Sequence, residues 1–297
     1  MSTTTTTQTV DSNRTVIPRA SRLPRRTAGE WGLFAVAVVA GVAIFAPFGL
    51  IILNAFKSTQ DYSGNGPLAI PTTFSLQAFV DYLGRVNFGQ ALWNSIAVSV
   101  LVAAIAVVLS LISAYPLGIG RVKANGIVLA VLLVATMLPH EALIYPLFYG
   151  AQATGTFNTI WSVVIVFSVL QAAYGTYLIS SVMGAIPKEL MEAAQLDGAS
   201  RWQILWRILV PILRPSLSVL VVFFFIWTWN EFYIPVVLLS DQSSQTVPIA
   251  LSTLRGQHNI DITVLNAGSL LSLLPTLVFF LLFQRTLVRG VAAGAVK

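Results

Sequence analysis

The chain has 297 residues, 56% of them hydrophobic and only 9% charged, with a formal net charge of +6 and no cysteine. An ordinary soluble domain is about 25% charged, so the composition excludes a water-soluble globule and leaves a polytopic membrane protein. The missing cysteines exclude disulfide frameworks, thiolate metal sites and cysteine nucleophiles. The basic balance would suggest nucleic acid in a soluble protein. Here the cations flank apolar runs, so they are topology signals and no nucleic-acid partner is expected.

Residues 1–30 are polar, running from a threonine tract (Thr3 to Thr7) to Arg14, Arg19, Arg22, Arg25 and Arg26. This patch lies too far along the chain, before too long an apolar run, for a cleavable signal. It is expected to be a disordered cytoplasmic tail ahead of one membrane domain at 31–297. Six apolar segments follow, at 32–53, 92–118, 127–149, 160–183, 216–239 and 266–284. Each is expected to be a spanning helix, because nothing else satisfies an isolated backbone in lipid. With the N-terminus inside, fourteen of the seventeen Lys and Arg fall on the cytoplasmic side, leaving Lys57, Arg85 and Arg255 outside. That bias puts both termini in the cytoplasm. The expected class is all-α, with six spans and a helix-turn-helix on the cytoplasmic side between spans four and five.

The first outer loop contains "FSLQAFVDYL", with Phe74, Phe79 and Tyr82 in an amphipathic pattern. It predicts a short helix at the outer interface. In the third span, His140 and Glu141 follow Pro139, with Tyr145 and Pro146 beyond. They fit either a kinked helix lining a pathway or a solvated outer mouth. Asn94 starts the second span and fits a helix-start amide better than a ligand. In the fourth span Ala172, Thr176, Ser180 and Gly184 recur every four residues. That face suits close packing against another span or a partner subunit.

The cytoplasmic stretch "MEAAQLDGASRWQILWRILVPILRP" (191–215) is charged and glycine-hinged in an otherwise apolar chain. Pro187 suits a first helical turn, Asp197-Gly198 a stop, and Ser200 with Gln203 a capping box opening a second helix. Trp202, Leu205, Trp206 and Leu209 would form one apolar stripe, with Pro211 and Pro215 ending the motif. Ala193, Ala194 and Ala199 around the turn let another surface come close. The stretch reads either as a docking element or as an interfacial helix on the headgroups.

In the fifth span, Trp227, Trp229, Asn230 and Glu231 form the richest polar-aromatic cluster. A sugar site combines aromatic faces with amide or carboxylate partners. Asn230 and Glu231 equally suit capping of a kink near Pro235 or bonding to a neighbouring helix. The chain has no P-loop, no H-E-x-x-H and no G-x-S-x-G, and His140 and His258 lie far apart. No catalytic or metal role is expected of it, and no cofactor.

Glu192-Ala193-Ala194, then Gly198, then Ile208 and Pro211, resembles the "EAA…G…I-LP" signature of ABC-importer permeases, with Val210 where that family usually has Leu. "NFGQALWNSIAVS" (87–99), "FIWTWNEFYIPVVLLS" (225–240) and "FQRTLVRGVAAGAVK" (283–297) resemble segments of its carbohydrate-uptake branch, similar to the shorter six-span subunit of maltose-type systems. The resemblance covers residues 30 to 297. It implies that Glu192, Ala193, Ala194, Asp197, Gly198, Ala199, Ile208 and Pro211 couple the chain to an ATPase. It implies a second homologous permease, a cytoplasmic ATPase dimer holding ATP and Mg, and an extracytoplasmic solute-binding protein that delivers a sugar. Trp227, Trp229, Asn230, Glu231, Glu141, Tyr145 and Asn94 are the pathway candidates. A polyol or glycerol-phosphate importer is the nearest alternative, although the spans lack the clustered Arg or Lys a phosphate wants. A self-sufficient secondary transporter would need two homologous halves, which the sequence does not show.

Overall fold

The computed structural model describes residues 28–119, 122–256 and 261–295. The arginine patch of the tail, Arg121, His258 and Lys297 lie outside them. Among the described residues all regular structure is helical. Among the described residues five helices are long and apolar enough to cross a membrane: Trp31–Ala55, Phe88–Gly118, Ile160–Gly184, Arg201–Asn230 and Ile262–Thr286. A sixth span results if Asn125–Met137 and His140–Ala153, bent by 90° at their junction, count as one. The protein is therefore a multi-pass membrane protein.

The chain forms two units, Met1–Pro47 and Phe48–Lys297. In the first, the described residues belong to α1 (Ala28–Ala55), whose apolar residues are spread around the helix, as a lipid-immersed span requires.

The second unit is built on α4 (Phe88–Gly118), α7 (Ile160–Gly184) and α10 (Val210–Asn230). Small residues bring the first two together. Ala172, Thr176 and Ser180 are buried, and Ser110 donates to the carbonyls of Ala106 and Ala172 at 2.6 and 3.3 Å. The small-residue face of the fourth span thus packs on α4 of this same chain. The tightest point is Gly175, where a Cβ would run into Ser110 and the Phe224 ring; it lies off the four-residue repeat and the sequence pattern did not single it out.

Three expectations are corrected. The third apolar run is not a single helix. α5 (Asn125–Met137) stops, Leu138 and Pro139 are extended (ψ 135° and 120°), a 3-10 turn covers His140–Leu143, and α6 (Ile144–Ala153) leaves at the sharp angle. Pro139 lacks the N–H that would continue the ladder, and it disfavours helical Leu138.

The fifth helix starts and ends earlier than its apolar run. α9 (Arg201–Gln203) continues through a π-helical stretch, Ile204–Leu209, into α10. Pro211 and Pro215 therefore do not end the segment. The Val210 N–H reaches back five residues to the Leu205 carbonyl, and this widened turn absorbs the proline that follows. At the other end Glu231 is extended (φ −69°, ψ 134°), and a short α11 (Tyr233–Leu238) carries the rest.

The outer-loop helix exists as α3 (Gln77–Arg85), which follows α2 (Thr59–Asn65). Its aromatic face is not turned outward as one stripe. Tyr82 is fully buried against α13 (Ile262–Ala295), which follows the short α12 (Val247–Ser252), and a Cβ on Gly268 would lie 2.5 Å from its ring; Phe74 is exposed.

Candidate functional site

The two helix breaks bring sequence-distant candidates together. His140, just past the α5 break, stacks on Trp227 of α10, with centroids 6.0 Å apart and planes at 19°. Trp227 meets Phe223 edge-on at 5.6 Å. The Glu231 carboxylate, at the α10 break, lies within electrostatic reach of the Trp227 indole, His140 and Glu141. His140, Glu141, Trp227 and Glu231 therefore form one half-exposed aromatic and acidic cluster. On the residue next to Trp227, the Thr228 hydroxyl accepts from Gln171 of α7 at 2.9 Å. Both are buried, and the Gln171 Oε1 has no protein partner.

Other candidates lie elsewhere. Trp229 is buried against Phe225, which stacks on Phe279 at 3.8 Å. Two residues on from Trp227, it projects from the opposite side of the helix, so it is a core residue between α10 and α13. Asn230 is exposed and donates to its own helix at Ile226. Tyr145 is 76% exposed. Asn94 is neither a helix start nor a free ligand. Asn87 caps α4. Asn94 sits two turns in, buried, accepting from Gln90 and donating to the carbonyls of Ser243 and Gln245 at 2.9 and 3.0 Å.

The second region is the 187–211 segment. α8 (Lys188–Leu196) is amphipathic: Met191 and Ala194 are buried with Ile204, Leu205 and Leu209 in the α4–α7–α10 core. Glu192, Ala193, Asp197 and Gly198 face outward. Leu196, 90% exposed, is a large apolar side chain at the tip; a helix stop right after it was the available signal for it. Gly198 has φ +79°, the left-handed region that favours glycine. Among the described residues, nothing apart from its own chain neighbours lies within 4 Å of a Cβ built there. The Ala199 N–H closes the turn on the Ala194 carbonyl at 3.0 Å. Ser200 and Gln203 form the reciprocal capping box at 2.7 and 3.3 Å. Ile208 is half-buried against the core and Pro211 is exposed.

The expected Trp202–Leu209 stripe is split. Leu205 and Leu209 are buried, while Trp202 and Trp206 are 60% and 46% exposed and stack on each other at 6.4 Å. The π-helical turn rotates the two pairs apart.

Residues 106–292, from the middle of α4 into α13, match the family model described as the binding-protein-dependent transport system inner membrane component. The chain belongs to that family. It is 30% identical over 276 residues to the probable ABC transporter permease protein YurM of Bacillus subtilis (strain 168), covering 92% of this chain and 91% of that protein. It is 28% identical over 264 residues to the probable starch degradation products transport system permease protein AmyC of Thermoanaerobacterium thermosulfurigenes, covering 88% and 95%. Its fold is similar to that of a chain in the crystal structure of a bacterial ABC transporter involved in the import of the acidic polysaccharide alginate. The TM-score is 0.76 at 18% identity, over 89% of this chain and 99% of that one. The permease resemblance carried by Glu192 to Pro211 thus holds at the level of family, and these relatives are transport permeases rather than enzymes. Among the described residues no group of His, Cys, Asp or Glu is placed to hold a metal.

Proposed function

We propose that this permease is one half of the translocation pathway of an ATP-driven, binding-protein-dependent importer for a sugar or oligosaccharide. Its partners are a second homologous permease, a dimer of cytoplasmic ATPase subunits that hold the ATP and Mg, and an extracytoplasmic solute-binding protein. The membrane is the bacterial plasma membrane, with both termini cytoplasmic as the positive charges dictate. The helix-turn-helix at 187–211 is the coupling element. The observation that carries this reading is the contrast within α8: one face fixed in the core, the other ending in exposed Leu196 and a positive-φ glycine. A knob rigidly tied to α4, α7 and α10 transmits a push from an ATPase to the spans, as alternating access needs. The names of relatives such as AmyC support a carbohydrate substrate. The His140–Trp227–Glu231 cluster has the ring face and polar edge that a sugar requires.

The test is affinity purification in mild detergent from the native membrane. Wild type is expected to bring down an ATPase and a second permease. Gly198→Asp forces a side chain into the left-handed region, at about 1–2 kcal/mol, and sets a carboxylate in the docking face. Recovery of the ATPase is expected to fall roughly five- to thirty-fold while the second permease stays. Recovery of the chain alone, active in liposomes without ATP, would overturn the reading.

A further inference from the structure

Charge is sorted sharply about Gly198. Before it lie Glu189, Glu192 and Asp197 with Lys188; after it, from 199 to 230, come Arg201, Arg207 and Arg214 and no acid. Arg207 and Arg214 are exposed, and no ion pair joins Arg201 to any described residue. Beside Arg201 a cavity of about 250 Å³ opens between the end of α4 and the post-turn helix. Its wall is Ile112, Tyr115, Pro116, Trp202 and Leu205, with Arg201 as the cation. Ile112 lies six residues before the last residue of α4, Gly118, hence about 9 Å further along the helix towards its middle at 1.5 Å per residue. The groove therefore runs from a cationic rim near the helix end to an apolar floor nearer the middle of the apolar span. The exposed Trp202–Trp206 stack stands beside it, the residue type that favours the headgroup layer.

We infer that this groove binds an anionic phospholipid, with its phosphate on Arg201, its acyl chain along Ile112, Tyr115 and Leu205, and the Trp202–Trp206 stack at headgroup level. Charge selects the occupant: a basic pocket between helices at the cytoplasmic interface is complementary to an anionic headgroup, whereas a zwitterionic lipid sets its own cation beside Arg201. The acidic and apolar face of α8 is left to a protein. The turn thus has two clients, an ATPase before Gly198 and a lipid after it. The lipid would brace the second helix from behind while the tip is loaded. The ATPase client and the choice of leaflet rest on the reading proposed above, while the lipid site does not.

The experiment is native mass spectrometry of the purified full-length chain with whatever partners it retains, in detergent titrated with dioleoyl phosphatidylglycerol or dioleoyl phosphatidylcholine. One phosphatidylglycerol per chain is expected to be held in preference to phosphatidylcholine, with inorganic phosphate failing to displace it. Removing one cation near an anionic headgroup is worth about 1 kcal/mol, so Arg201→Gln should lower retention about five-fold. Trp202→Ala should lower it too, while Arg85→Gln on the opposite face should leave it unchanged. Equal retention by wild type and Arg201→Gln, no preference over phosphatidylcholine, displacement by phosphate, or loss of the lipid whenever an ATPase is bound would each overturn the inference. Retention as expected with no ATPase recovered would leave the lipid site standing and remove only the coupling reading.

Discussion

The two ends of the helix bundle are held together by opposite means. At the 187–211 end every hydrogen bond that shapes the turn is local: Ala199 to Ala194, Gly198 to Gln195, Ser200 with Gln203. At the other end the loops are tied by bonds across large sequence separations. Asn94 holds the carbonyls of Ser243 and Gln245, Ser95 accepts from the Val247 N–H at 2.8 Å, and Thr59 donates to Asp261 at 2.9 Å. Asn158, itself at φ 62°, accepts from the Ser240 and Asp241 N–H groups at 2.6 and 3.0 Å. A local motif keeps its shape while the body it is mounted on moves, which suits a lever. A surface stitched across distant segments keeps its shape only while the helices under it keep theirs, so it reports their arrangement.

The largest expected effect is at Asn94. Asn94→Leu leaves two carbonyls of the 243–245 strap unpaired, and a buried group that loses its partner costs about 1–3 kcal/mol. The strap should become accessible to protease on one side of the membrane, with recovery of an ATPase through the 187–211 turn unchanged. Equal disturbance at both ends would erase the distinction between them. Limited proteolysis of the purified complex, read by mass spectrometry of the fragments, measures both.

The converse change is smaller. Ser200→Ala removes one half of the capping box, worth about 1 kcal/mol. Hydrogen exchange should rise at Gln203 and its neighbours, ATPase recovery should fall a few-fold, and the 243–245 strap should keep its protection. Ser200→Asp, which retains an acceptor at the cap, should restore most of the exchange protection.

The same contrast explains how much could be read from the sequence. The existence of most spans, the turn at Asp197-Gly198 and the capping box were legible because each is written in one continuous stretch of chain. The cluster at the breaks was legible only as fragments. Nothing in the sequence says that His140 meets Trp227, and reading Trp227 with Trp229 as one site overlooked that residues two apart leave a helix on opposite sides. Asn94 and Asn158 each look like an ordinary polar residue near an apolar run, because their partners lie 82 to 151 positions away. The unbroken helix through Pro211 was hidden by a sound local rule, that proline ends helices, which the π-helical turn circumvents.

The finest probe of the comparison is pH, acting on the 54–72 loop. Lys57 is fully buried there and donates to the Gly66 carbonyl at 2.8 Å, so it is a structural clamp rather than a surface charge on the outer side. Asp61 accepts from the Asn65 amide at 2.7 Å and the Thr72 N–H at 3.0 Å. These bonds, the Asn65 one foremost, hold its carboxyl below the usual aspartate range, with the Lys57 charge a lesser help. A carboxyl that ionises more readily in the folded loop than in the unfolded chain stabilises the loop fully above the unfolded value. That contribution fades as pH falls through the lowered folded value. Hydrogen exchange at the Thr72 amide, compared with Asp61→Asn at each pH, should therefore show extra protection in the wild type at neutral pH that shrinks on acidification. The variant should show no such change. A wild-type advantage that grows as pH falls would mean that the carboxyl is held neutral in the fold. The Asn65 and Thr72 donors would then not be what closes the loop.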